Sequence, residues 1–261
     1  MDLKLDGKTA LVTGSTAGIG LAIAKRLAAE GVDVVITGRS QDKLDAAASE
    51  VATLGTVRPV LADAGTADGA ATLIAAAPTV DILVNNLGIY AAKPFVEIDD
   101  AEWHRFFEVN VLSGVRLARH YFPRMLEQDW GRVIFIASES AQLIPAEMVH
   151  YGMTKTAQLA ISRGLAEQTR GTNVTVNTVQ PGPTRSEGIV EFIRSTVTNK
   201  DATEADREKE FFEKMRPLSL IRRLIEADEV AAMTAFLASP LAAVTNGAAI
   251  RVEGGMVPTI A

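Results

Sequence analysis

TALVTGSTAGIG, residues 9–20, sets a short apolar run directly before three glycines, Gly14, Gly18 and Gly20. From Gly18 to Glu30 the apolar residues recur at helical spacing, and the pattern stops at Gly31. This reads as strand, turn and helix. A side chain at the glycine positions would obstruct both the tight turn and the approach of a pyrophosphate to the helix N-terminus, where free N–H groups and the helix dipole favour an anion. The spacing differs from the common G-x-G-x-x-G fingerprint. A glycine-rich turn after an apolar strand is also a plain tight connection, so this stretch alone leaves both readings open.

Working outward, the same alternation continues. Strands are predicted over 33–37, 57–61, 80–84, 132–137, 174–179 and 248–252, and helices over 41–54, 66–76, 99–108, 111–128, 149–169 and 227–238. Strands alternating with helices imply an α/β fold, a doubly wound parallel sheet covered by helices on both faces. Without an internal repeat or linker, residues 1–261 are expected to form one domain. The pattern breaks after Val179. Residues 183–217 carry PGP at their start and the charged run NKDATEADREKEFFEKMR, which predicts a solvated helical insertion and, beside a rigid sheet, a substrate lid.

Composition narrows the function classes. Hydrophobic residues make up 48% and charged ones 22%, which points away from disorder and fibrous architectures. A formal net charge of -6 with no clustered Lys/Arg argues against nucleic-acid binding. No apolar run is long enough to span a bilayer, and MDLKLDGKTALV lacks the succession of a signal peptide, so no membrane association and a cytoplasmic location are expected. The absence of cysteine removes disulfides and thiolate chemistry, and His104, His120 and His150 are too widely spaced to suggest a zinc site, so no metal is expected.

A second constellation lies in HYGMTK. Tyr151 and Lys155 share one helix face at i, i+4, and Ser138 precedes them by thirteen residues. A phenol has an unperturbed pKa of about 10, and bringing it near 7 requires roughly 4 kcal/mol of preferential phenolate stabilisation. A neighbouring cation acts in that direction.

TGxxxGxG at residues 13–20, NNLG at 85–88, Asn110 in EVNV, Ser138, YGMTK and the pair Pro181 and Gly182 together resemble the short-chain dehydrogenase/reductase family, in order and over nearly the whole chain. The resemblance implies a Rossmann-like sheet and hydride transfer between a nicotinamide and a ketone or secondary alcohol, possible substrates including a 3-oxoacyl thioester. In that scheme Tyr151 is the acid or base. Lys155 holds the cofactor ribose and lowers the phenol pKa, Ser138 hydrogen-bonds the substrate oxygen, and Asn110 anchors a relay water behind Lys155. The cofactor residues implied are Gly14, Ser15, Thr16, Gly18, Ile19, Gly20, Arg39, Asp63, Asn86, Gly88, Tyr151, Lys155, Pro181, Gly182, Thr184 and Ser186. Leu87 departs from the usual NNAG, Thr184 and Ser186 depart from the usual Ile/Val and Thr, and Glu253 stands where the family ending usually has Asp.

The second strand ends in Thr37-Gly38-Arg39-Ser40, with no acid to bind the ribose hydroxyls and repel a 2′-phosphate. Arg39 offers a donor fork suited to phosphate, so NADP(H) is favoured over NAD(H), although Ser15, Thr16 and Ala17 occupy a loop where many NADP-dependent relatives carry another basic residue. For the substrate, Leu143, Met148 and Phe192 are apolar pocket candidates together with Ile144, Met153, Phe211 and Phe212. Glu139 or Glu147 is a candidate to select a polar or cationic substrate. His150 is expected to be structural. The resemblance also implies a homotetramer or homodimer through the helices at 111–128 and 149–169. Alternatives are a catalytically idle dinucleotide sensor and an epimerase or dehydratase on the same scaffold.

Overall fold

A computed structural model describes residues 1–196 and 202–260. Seven strands, β1 (Thr9–Val12), β2 (Asp33–Gly38), β3 (Val57–Leu61), β4 (Ile82–Asn85), β5 (Gly131–Ile136), β6 (Val174–Pro181) and β7 (Ala249–Val252), form one sheet in the order β3-β2-β1-β4-β5-β6-β7. Every pairing is parallel. Helices α1 (Gly18–Ala29), α2 (Gln41–Ala52), α3 (Ala67–Ala76), α4 (Asp100–Phe107), α5 (Ser113–Glu127), α6 (Val149–Ala166), α7 (Glu187–Thr196), α8 (Glu204–Lys214) and α9 (Ala227–Ala238) complete the fold.

The central strands are buried along their whole length because both faces are covered. Successive side chains therefore enter opposite cores. Ala10 and Val12 pack with Ile23 and Leu27 of α1 and Val230 of α9, whereas Leu11 packs on the other face with Leu83, Leu117 and Phe135. The first helix ends at Gly31, whose φ of +83° supplies the left-handed residue that stops it. The side chains of Thr66 and Asp99 cap α3 and α4 by accepting from Gly69 N and Glu102 N.

The chain builds β1, β2 and β3 outward in one direction, then returns so that β4 lies on the other side of β1. Neighbouring connections diverge there, leaving a crevice beyond the carboxyl ends of β1 and β4. Between α4 and α5, where the predicted helices 99–108 and 111–128 leave a break, the chain forms a π turn over Glu108–Leu112, a wide turn that resets the helix face.

The expected insertion separates into α7 and α8, with residues 197–201 of it outside the described residues. Glu191, Glu204, Lys209 and Glu213 face outward while Ile193, Phe211 and Phe212 pack with Leu224 and Met256. Arg185 ties it down by donating to Glu208 at 3.0 Å and Glu226 at 2.9 Å. Among the described residues no helix is long and apolar enough to cross a membrane.

Leu27 is fully buried where α1 meets the sheet. Leu27→Ala is expected to lower the unfolding free energy by about 2–5 kcal/mol, measured by urea denaturation.

Candidate active site

The crevice is shaped by the first turn. Gly14 and Gly18 have φ of +62° and +54°, the region that favours glycine, and a Cβ on Gly20 would lie 2.2 Å from Gly14 O. Asn86, at the end of β4, holds this turn by donating from Nδ2 to Thr13 O at 2.9 Å and Gly14 O at 3.1 Å. Thr13 Oγ1 in return accepts from the backbone N–H of Asn86 and Leu87, each at 3.0 Å. The departing Leu87 side chain fits between Gly14 and Gly65 and packs on the second core. Gly18, Ile19, Gly20, Asn86 and Gly88 line a groove of about 380 Å³ that runs to Tyr151 and Lys155. Ser15 differs from the expectation. It is fully buried, and its hydroxyl donates to Val12 O and accepts from Thr37 N, so its side chain is spent joining β1 to β2.

At the other end of the groove Gly14, Thr16, Arg39, Asp63 and Gly88 border a cavity of about 290 Å³. Asp63 Oδ1 accepts from Gly65 N at 3.0 Å, which fixes the carboxylate at the turn after β3. Arg105 of α4 also reaches this cavity. Nothing in the sequence set Arg105, on a different helix, beside the cavity that Arg39 borders.

The residues expected to perform the chemistry converge between the groove and a third cavity of about 160 Å³. Ser138 follows β5, and Tyr151 and Lys155 project from α6 with Lys155 Nζ 5.6 Å from the phenol ring centroid. Lys155 Nζ donates to Ile136 O at 3.0 Å and to Gln158 Oε1 at 3.3 Å. Burial lowers this ammonium to about 8, opposed by the charge of Glu139. The phenol moves opposite to expectation. Burial pushes Tyr151 up, and the Glu139 carboxylate pushes it further, while a hydrogen bond with Ser138 and the Arg216 cation act in the other sense.

Asn110 is buried in the π turn and pins the loop after β4: Oδ1 accepts from Ile89 N at 2.7 Å and Nδ2 donates to Ile89 O at 2.9 Å. Its backbone carbonyl accepts from Gln158 Nε2 at 2.6 Å. Gln158, one helical turn beyond Lys155, thus bridges Asn110 and Lys155 directly, at a position that carried no signal without its neighbours.

Pro181 ends β6, and Gly182 N donates to Val252 O, which brings both residues to the third cavity with Thr184 and Ser186. The Thr184 hydroxyl donates to Gly182 O, and Ser186 Oγ accepts from Ile189 N at the start of α7. Glu253 accepts from Met256 N and Val257 N and organises the last turn. Of the substrate candidates, Glu139, Met148, Phe192 and Phe211 line the cavity. Leu143 does not: it packs against the cluster of Ile193, Phe211 and Phe212 and borders a separate hollow with Ile144. Phe212 is core in that same cluster, and Glu147 lies 3.5 Å from Arg216 Nη1.

Two residues missed in the sequence complete the cavity. Tyr90 stands edge-on to Tyr151 with ring centroids 6.2 Å apart, and Arg216, after α8, lies beside Glu139. Tyr90 was legible only as two residues past NNLG; Arg216 lay within a run of exposed charges. His150 is fully buried against Phe106, with burial lowering its pKa, and points away from this chemistry.

The short chain dehydrogenase family model matches residues 8–196. The chain is 50% identical over 263 residues to the uncharacterized oxidoreductase YvaG of Bacillus subtilis, covering 100% of both. It is 33% identical to the 3-oxoacyl-[acyl-carrier-protein] reductase FabG of Aquifex aeolicus, over 98% of this chain and 100% of that one. The L-sorbose reductase of Gluconobacter frateurii, solved with NADPH and L-sorbose, superimposes with a TM-score of 0.93 at 30% identity, covering 100% of each chain.

The lowered Lys155 pKa has a signature. An unfolded lysine holds its proton to 10.5 and the folded one releases it near 8. Between these values the unfolded state binds more protons, so stability rises with pH. Relative to Lys155→Met, the cofactor-free protein is expected to gain on the order of 2–3 kcal/mol between about pH 8 and 10, read from paired urea melts.

Proposed function

The chain belongs to the short-chain dehydrogenase/reductase family, and we propose that within this NAD(P)-dependent carbonyl and alcohol chemistry it prefers NADP(H) and reduces a small polar ketone. One observation carries the reading: Ser138, Tyr151 and Lys155 meet where a glycine-lined groove joins a cavity bearing both aromatic and charged side chains. The glycine turn fits a dinucleotide because no Cβ intrudes on the path to the α1 N-terminus.

A bound nicotinamide supplies or accepts the hydride. Lys155 lies close to Gly88, and in this reading it binds the ribose hydroxyls. Tyr151 donates the proton to the carbonyl oxygen in reduction and takes it back in oxidation. Its raised pKa keeps it an acid, which suits reduction. Ser138 hydrogen-bonds the same oxygen as charge develops there. Asn110 and Gln158 hold Lys155 and the loop bearing Gly88 in register.

Arg39 and Arg105 at the adenosine end, and the lack of an acid ending β2, support a 2′-phosphate. The nearby Glu108 is ion-paired to Arg116. The NADPH bound to the sorbose reductase points the same way. Glu139 and Arg216 favour a hydroxylated ketone; the resemblance to a 3-oxoacyl reductase keeps an acyl thioester as second reading. In this reading α7 and α8 form the substrate lid of one domain, the chain assembles as a homotetramer or homodimer through α5 and α6, and it works in the cytoplasm. Retention of both Tyr151 and Lys155 favours turnover over an idle sensor, and net NADPH oxidation by an added ketone separates it from an epimerase or dehydratase.

In fluorescence titrations NADPH is expected to bind at least tenfold more tightly than NADH, about 1.4 kcal/mol, and Arg39→Ser to erase the difference. Equal binding of both by the unaltered protein would end the NADP assignment. With L-sorbose and acetoacetyl thioester as first carbonyls, Tyr151→Phe is expected to lower kcat by about 100-fold or more while NADPH still binds; retained turnover would remove Tyr151 as proton donor.

A further inference from the structure

Ser138 has one hydroxyl proton and two demands on it. Its Oγ makes a short hydrogen bond to Glu139 Oε2, and it accepts from Ser140 N at 3.1 Å. If Glu139 is a carboxylate, it can only accept in that short contact, so the serine proton is turned toward Glu139 and away from the cavity. Ser138 would then present lone pairs to a substrate carbonyl, the wrong polarity for stabilising a developing oxyanion.

The surroundings of Glu139 resolve the conflict. The residue is 5% exposed. Its other oxygen meets the Ser140 hydroxyl at 3.3 Å. Arg216 is the nearest cation, but its Nε is 3.9 Å away, beyond hydrogen-bond reach, and its Nη1 donates to Met215 O at 2.8 Å and faces Glu147. Lys155 is engaged with Ile136 and Gln158, and Tyr90 and Tyr151 occupy the remaining side of the cavity. Among the described residues no charged donor hydrogen-bonds the buried carboxyl, which makes its ionised form costly. Burial raises its pKa, with Ser138, Arg216 and Ser140 opposing.

We infer that Glu139 is a positioning residue that acts as a carboxylic acid, donating its proton to Ser138 Oγ and thereby turning the serine hydroxyl toward the substrate carbonyl. The inference rests on the carbonyl-reductase reading above. Ser138 then accepts from Glu139 and Ser140 and keeps its own proton for the cavity side, where Tyr151 and the substrate oxygen lie. The Glu139 proton stays on Glu139 throughout; the proton transferred comes from Tyr151 and the hydride from the cofactor. A neutral Glu139 also removes a negative charge that would oppose phenolate formation when the alcohol is oxidised. Reduction is therefore fastest below the Glu139 titration and falls as pH rises through it, before Tyr151 itself loses its proton.

Infrared difference spectroscopy of the wild-type protein against Glu139→Gln tests the protonation state without any substrate. A protonated-carboxyl band at neutral pH in the wild type alone is expected; its absence would overturn the inference. In kcat/KM against pH, with L-sorbose or acetoacetyl thioester, Glu139→Gln keeps a permanent donor to Ser138. It is expected to remain active on the acid side and to lose the lower alkaline fall. An unchanged profile, or a folded, NADPH-binding Glu139→Gln protein that is inactive at every pH, would contradict the inference. Should Glu139→Gln fail to fold, Ser138→Ala gives the same test. The wild-type advantage over Ser138→Ala should shrink by at least about tenfold as pH rises, and a constant ratio would overturn the proposal. Wild-type protein that oxidises NADPH with no carbonyl would sink the functional reading and Ser138's role with it, while leaving the infrared result to stand or fall separately.

Discussion

A methyl group on Gly20 would sit 2.2 Å from the Gly14 carbonyl oxygen. That approach lets α1 begin directly against the end of β1 and presents its free N–H groups to the crevice. Asn86 is anchored by that carbonyl and the Thr13 carbonyl from across the strand-order reversal, so the first turn and the end of β4 form one unit. From this unit the loop through Gly88 runs to Asn110, Asn110 to Gln158, and Gln158 to Lys155. The glycine turn and the Lys155 end of the groove are thus connected through one short stretch of chain and a set of hydrogen bonds, which fixes their relative positions.

The electrostatics of the site come from burial acting on groups of opposite sign. It raises Tyr151 and Glu139 and lowers Lys155, so each is driven toward its neutral form. Charges introduced by a cofactor or a developing alkoxide then act in a medium that screens them weakly. Tyr151 as a neutral acid and Glu139 as a neutral donor are consistent with one another, since an ionised Glu139 both raises the phenol further and captures the Ser138 proton.

Most of the sheet was legible because its strands are short apolar runs separated by helical periodicity, and both signals come from neighbouring residues. The observed β2 and β3 start where the pattern placed them, and α1 stops at the glycine that marked its end. What escaped depends on contacts between distant segments. Near Asn110 the periodicity marks a break between two helices but not the π turn that fills it. Ser15, in a loop associated with phosphate, is drawn into the sheet by a hydroxyl that satisfies β1 and β2. Leu143 reads as a pocket residue yet packs under α7 and α8. Tyr90, Arg105, Gln158 and Arg216 enter the site from a loop, two helices and the end of a charged run, and only the folded chain sets them beside Tyr151 and Arg39.

The central claim is that hydride passes between a nicotinamide in the glycine-lined groove and a carbonyl held at Tyr151. The most direct measurement uses NADPH deuterated in turn on each face of the nicotinamide, with mass spectrometry of the product alcohol from L-sorbose and from acetoacetyl thioester. The account predicts deuterium on the new carbinol carbon from one face only, with consumption of the label matched to product. NADPH consumption without deuterium in any alcohol would contradict it.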